Sequence, residues 1–199
     1  HLNRVKASEV SIISARALEL ERQGKSVVRL SAGEPDFPTP DHIKMACIKA
    51  LCDNKTKYPA VIGLPELREA ICMKLKRDNA LDYVPGQTIV CTGAKQVLYN
   101  AMTATLNPGD EVIMPAPYWM SYVGMVQLSR ATAVIVDTRQ ENGFKITPAE
   151  LEKAITPKSR WLFLNSPSNP AGAVYSAEEL SGLAEVLRRH PQVWVISDD

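Results

Sequence analysis

The chain has 199 residues, enough for one sizeable α/β core or a core with a small appendage. Its 23 Lys and Arg against 22 Asp and Glu leave a formal charge of +1, too little field to steer nucleic acid. At 45% hydrophobic and 23% charged the composition is that of a soluble globular protein, and the longest apolar runs, such as Val193–Ile196, are strand-sized and far too short to cross a bilayer.

In chain order, a helix is expected from Ser8 to Gln23, with Gly24 in the stop position. The short run Val27–Leu30 leads into Ser31–Pro40, where three prolines and a glycine predict an ordered loop. Asp41–Cys52 and Pro65–Asn79 read as helices, the second with Pro65 in its first turn. The four cysteines, Cys47, Cys52, Cys72 and Cys91, lack the spacing of a zinc or redox site and are expected to be reduced, small buried hydrophobes. His1, His42 and His190 are scattered, so no metal site is expected. With no signal-peptide pattern at the start, a cytoplasmic enzyme is the expected class.

From Val84 onward β-rich runs alternate with helical ones. Strands are expected at Thr88–Thr92, Glu111–Met114, Ala133–Val136, Arg160–Asn165 and Val193–Ser197. Helices are expected at Ala94–Leu106, stopped by Asn107-Pro108-Gly109, and at Ala177–Arg189. Strands apolar on successive residues suit a sheet covered on both faces, and helical crossovers between them make that sheet mainly parallel, an α/β fold.

Ends of these strands carry the candidate chemistry. At Gly93-Ala94-Lys95 a strand-to-helix turn offers free amides and a positive dipole end, with the Lys95 charge beside it; it reads either as a phosphate cradle or as an ordinary small-residue turn. Neither GxGxxG nor GxxxxGK[ST] occurs, which speaks against a nucleotide-binding regulatory domain. Tyr118-Trp119 follows the strand that begins at Glu111 and either stacks on a planar ring or packs under a loop. Asn165 and Asn169 stand in a loop with Pro167 and Pro170, where an Asn-Pro bond is a candidate for the cis form; a plain polar turn is the alternative. Asp198, just past the apolar run Val193–Ile196, needs a partner for its charge. Asp198 and Asp199 are poor metal partners, because neighbours on an extended chain point to opposite faces. Together the strand ends offer an anion cradle, a flat aromatic, an amide and a carboxylate.

The chain resembles the fold-type I, class I aminotransferases, of the aspartate aminotransferase type that also includes prephenate aminotransferases. The resemblance runs from Ser8 to Asp198 and is carried by SAGEPDFPTP at Ser31–Pro40, KTKY and GLPELREAI between Lys55 and Ile71, TGAKQ at Thr92–Gln96, PYWMSY at Pro117–Tyr122, NSPSNPAGAVY at Asn165–Tyr175, and SDD at Ser197–Asp199. It implies pyridoxal 5'-phosphate as cofactor, an amino acid and a 2-oxo acid as substrates, and a homodimer. Within it, Gly33 lies in the loop whose backbone meets the substrate carboxylate. Gly93, Ala94 and Lys95 match the phosphate turn, and Trp119 the aromatic on the pyridine ring. Asn169 matches the amide that bonds the phenolic oxygen and helps hold the substrate carboxylate, with Asn169-Pro170 the family's cis bond. Asp198 matches the carboxylate that pairs with the ring nitrogen. Tyr58 matches a tyrosine that reaches the phosphate of the partner subunit's site.

The resemblance further implies an amino-terminal half: residues 1–40 as a helix and substrate loop of a small domain, and 41–199 as the first part of a cofactor-binding large domain. The family's Schiff-base lysine and carboxylate-clamping arginine have no match here, so no catalytic lysine is expected in this chain and the chain alone is expected to be inactive. Aspartate or glutamate is the expected amino donor, with Lys95 favouring acidic substrates; Ala7 and Val10 stand where the family usually has Pro and Thr, which leaves an aromatic, prephenate or alanine-type preference open. A chain acting only as a folding or dimerisation module is the reading from another class.

Overall fold

In the sheet of this protein every strand runs the same way, and each returns through a helix. The computed structural model describes residues 9–30, 33 and 35–199. Ser8, the segment Lys6–Ser8, and Ser31, Ala32 and Glu34 of the proline-rich loop lie outside the described residues. The chain divides into two compact units, Ile12–Val97 and, apart from a short amino-terminal segment, Leu98–Asp199.

The first unit holds most of helix α1 (Glu9–Arg22), α2 (Asp41–Cys52) and α3 (Pro65–Asn79). Pro65 opens α3 and Ala80, in the left-handed region, closes it, as its punctuation demands. Arg68 of α3 donates through Nε to the Thr88 carbonyl at 3.2 Å and through Nη2 to that of Pro85. The expected strand Thr88–Thr92 is absent from the described sheet. Thr88 is extended, yet among the described residues the segment's ladder amounts to one bond, Val90 N to Ile62 O at 3.1 Å, with no strand alongside it. That close approach is why residue 63 is glycine: its φ is +101°, and a Cβ there would stand 2.7 Å from Val90 Cβ.

The cysteine expectation is half corrected. None of the four is in a disulfide, but Cys47 and Cys52 are exposed and Cys72 and Cys91 only partly buried. The apolar stripe of α2 is itself open, with Ile43, Met45, Ile48 and Leu51 each half exposed or more, so among the described residues no layer covers the face on which those cysteines sit.

The second unit is a four-stranded sheet of order β2-β1-β3-β4, with β1 at Glu111–Ala116, β2 at Thr132–Asp137, β3 at Ser159–Asn165 and β4 at Trp194–Asp198. All three pairings are parallel. α4 (Ala94–Thr105) and α5 (Ser121–Leu128) supply Leu98, Met102, Tyr122, Met125 and Val126 to one face, against Val112, Met114, Trp161, Phe163 and Ile196. On the other, Leu151 of α6 (Pro148–Ala154) and Leu183 and Val186 of α7 (Ala177–Arg189) cover Ile113 and Leu162. Neighbours along β1 and β3 thus alternate between two cores, which explains their uninterrupted apolar sequence. Each fully buried leucine contributes about 1.5–3 kcal/mol.

Two details differ from expectation. β1 continues past the expected Met114 through Pro115 to Ala116, and β4 continues through Asp198, so that Asp198 lies inside its strand rather than after it. Coverage of both faces holds for β1 and β3 but fails at β4, an edge strand whose Trp194 is 57% exposed. The helices α5 and α6 are additional to those expected.

Candidate functional site

The parallel register sets the last residues of β3 and β4, Asn165 and Asp198, directly opposite one another. This is the carboxyl edge of the sheet, where ligands of open α/β folds collect. Asp198 is half-buried, and its charge is met by the Tyr122 hydroxyl of α5, which donates to Oδ2. Tyr122 is itself buried, its ring 4.5 Å from that of Phe163 on β3. Burial foremost, then the bond to Asp198 and its charge, push the Tyr122 phenol well above its ordinary value of 10.0, so it remains a neutral donor.

Trp119 lies half-buried one turn before Tyr122, whose amide donates to the Trp119 carbonyl at 3.0 Å. The two rings meet edge to face at 5.3 Å and 83°. The flat aromatic thus stands just ahead of α5 and the carboxylate clasp in its first turn, while a cis Ala116-Pro117 bond leads the chain out of β1 towards them.

The loop after β3 holds Asn169, exposed, with cis bonds at Asn169-Pro170, as expected, and also at Ser166-Pro167. Its amide donates to Oδ1 of Asn165 at 2.6 Å, and Asn165 Nδ2 donates to the Asp198 carbonyl at 2.6 Å. The backbones of the two residues picked from sequence at neighbouring strand ends, Asn169 and Asp198, are thus linked through the Asn165 side chain, and Trp119 is joined to Asp198 through Tyr122. Asp199 engages differently, accepting from Ser197 Oγ at 3.0 Å.

The other predicted residues belong to the first unit. Gly93 has φ +83° and its carbonyl accepts the amides of Gln96 and Val97, so α4 begins there. The Gln96 side chain accepts from the Thr92 amide at 2.6 Å, so part of the turn is capped internally. Ala94 and Lys95, the first residues of α4, are exposed, as are Gly33 and Tyr58. Sequence reasoning gave Tyr122 no role. It lies in the quoted PYWMSY motif, but a tyrosine in an apolar helix reads as core, and its partner lies 76 residues away.

The aminotransferase class I and II family pattern matches residues 25–199. The chain belongs to this family. The aspartate/prephenate aminotransferase of Cereibacter sphaeroides is 57% identical over 198 residues, all of this chain and 50% of that protein. The aspartate aminotransferase of Rhizobium meliloti is 48% identical over the whole chain and 48% of its own length. Among solved structures, the Rhizobium meliloti aspartate aminotransferase superposes with a TM-score of 0.95 at 49% identity, covering 100% of this chain and 50% of that one. The Thermus thermophilus aspartate aminotransferase with maleate gives 0.95 at 47%, covering 99% and 51%. This aminotransferase-family chain therefore spans about half the length of the curated relatives it matches, and its parallel α/β fold is that of the fold-type I enzymes.

Proposed function

We propose that the full-length protein is a pyridoxal-phosphate-dependent aminotransferase, moving an amino group between an amino acid, aspartate or glutamate foremost, and a 2-oxo acid. The observation that carries this reading is the Asp198 carboxylate at a parallel strand end, held by a buried neutral tyrosine that also packs on Trp119. A carboxylate so held suits a protonated ring nitrogen, and an indole beside it suits a planar ring. When bound, the cofactor supplies an electron sink for the substrate's α-carbon.

On this reading Asp198 keeps the proton on the ring nitrogen, Trp119 flanks the ring, and Asn169 bonds the phenolic oxygen and the substrate carboxylate. The resemblance assigns the phosphate to Gly93, Ala94 and Lys95, the backbone of Gly33 to the substrate carboxylate, and Tyr58 to a partner subunit's phosphate, which makes the working protein a homodimer. Residues 1–40 would serve the small domain and 41–199 open the large one. No described helix is long and apolar enough to cross a membrane; we place the enzyme in the cytoplasm, acting on small molecules and not on nucleic acid.

Prephenate is the second acceptor to examine, because the Cereibacter sphaeroides relative is named for both substrates. The test is the full-length protein and its Asp198→Ala variant, assayed with aspartate against 2-oxoglutarate and against prephenate. The unsubstituted protein should turn over, and Asp198→Ala should lose most activity while keeping its fold. Near-normal turnover in the variant overturns the assignment.

A further inference from the structure

Asn165 is engaged at both ends of its side chain. Oδ1 accepts the Asn169 amide and Nδ2 donates to the Asp198 carbonyl, each at 2.6 Å. The amide has only one sensible orientation. A backbone N–H can only donate and a carbonyl only accept, so exchanging N and O would set like against like at both ends.

Both partners sit where regular structure runs out. The Asp198 carbonyl belongs to the last residue of β4. The Asn169 amide lies in a loop where Pro167 and Pro170 bring no N–H of their own. The rest of that loop closes on itself, with Ser168 N to Ala173 O at 2.8 Å, Gly172 N to Ser168 O at 2.7 Å and Tyr175 N to Ser166 Oγ at 3.2 Å. Asn165 is the side chain that fastens this closed loop to the neighbouring strand.

We infer that Asn165 is a positioning residue, an amide clamp that fixes Asn169 relative to Asp198 so that the two act on opposite edges of one planar ligand. This rests on the aminotransferase reading given above. Neither function falls to Asn165 itself: its two side-chain hydrogen bonds go to backbone groups, and they set the spacing of the two residues that would touch the ligand. The clamp also couples them, since a shift of the loop is a shift of Asn169 against the β4 end.

The test compares Asn165→Asp and Asn165→Ala in the full-length protein. Aspartate keeps an acceptor for the Asn169 amide but turns an oxygen against the Asp198 carbonyl; alanine removes both bonds. In the apoprotein, hydrogen exchange at the Asn169 amide should remain slow in Asn165→Asp and rise at least about fivefold in Asn165→Ala, the factor expected for one net hydrogen bond. With cofactor, the Kd for pyridoxal phosphate should rise about fivefold to tenfold in both variants. KM for the amino acid should stay within about twofold in Asn165→Asp and rise about fivefold in Asn165→Ala. Unchanged exchange in Asn165→Ala overturns the clamp. So does a parallel rise of Kd and KM in both variants that tracks their loss of melting temperature, the mark of general loosening. If the unsubstituted protein takes up no cofactor, the aminotransferase reading fails, while the exchange measurement still decides the clamp by itself.

Discussion

The Tyr122 hydroxyl donates to Oδ2 of Asp198 across 76 residues of sequence, joining α5 to the end of β4. Without it, a half-buried carboxylate would lose the hydroxyl that meets its charge. Replacing Tyr122 by Phe keeps the ring contacts and removes only this donor. The expected loss is about 1 kcal/mol of unfolding free energy at neutral pH, seen as a lower urea midpoint with an unchanged slope. A midpoint equal to the parent's would mean that water serves Asp198 equally well.

The same pair predicts an alkaline signature. Burial and the Asp198 charge raise the Tyr122 phenol above its ordinary value of 10.0. In the unfolded chain the phenol ionises near its ordinary value, whereas in the fold it stays neutral to higher pH. Its contribution is therefore complete below pH 10 and is lost as pH climbs from there through the folded value. Unfolding curves at pH 8 and pH 11 should show the gap between the parent and Tyr122→Phe narrowing at the higher pH. A constant gap would count against a raised folded value.

Gly63→Ala should destabilise the protein by about 1–3 kcal/mol, from the positive φ and from the contact with Val90. Adding Val90→Gly removes both the Cβ and the Cγ2 that a Cβ at residue 63 would meet, and leaves the backbone strain at residue 63. The double variant should therefore regain part of the loss, and a thermodynamic cycle measures how much.

Residues 1–199 expressed alone should show no transamination and no single favoured lysine. A lasting bond to the cofactor's aldehyde needs an amine held against it with a lowered pKa. Borohydride reduction in the presence of pyridoxal phosphate, followed by mass spectrometry, checks this. Stoichiometric labelling at one lysine together with turnover would place the catalytic apparatus inside this chain.

What the sequence made legible depended on punctuation. Pro65 at the start of α3 and the Ser176 cap of α7 bracket helices whose bounds agree with the expected ones, as do those of α2. α6 was within reach, because Thr147 and Glu150 form a capping box with Pro148 between them. α5 was not: it has eight residues, no side-chain cap and an even apolar run. The strand expected at Thr88–Thr92 shows the limit of propensity, since a β-rich run becomes a strand only when another lies beside it. At the site, Asp198 and Asn169 were visible as polar groups at strand ends. Tyr122's polar role was not, because it depends on a bond made only after α5 packs against the sheet.

β4 leaves its outer row of N–H and C=O groups unladdered among the described residues, next to Trp194 and Val195, both exposed. Such a border is a template: any extended segment laid along it in register gains main-chain bonds and a hydrophobic seat together. For residues 1–199 on their own, the first such segments to arrive would be those of other copies. Self-association of this chain should therefore propagate strand by strand from one margin of the sheet, and charged residues placed at Trp194 and Val195 should slow it.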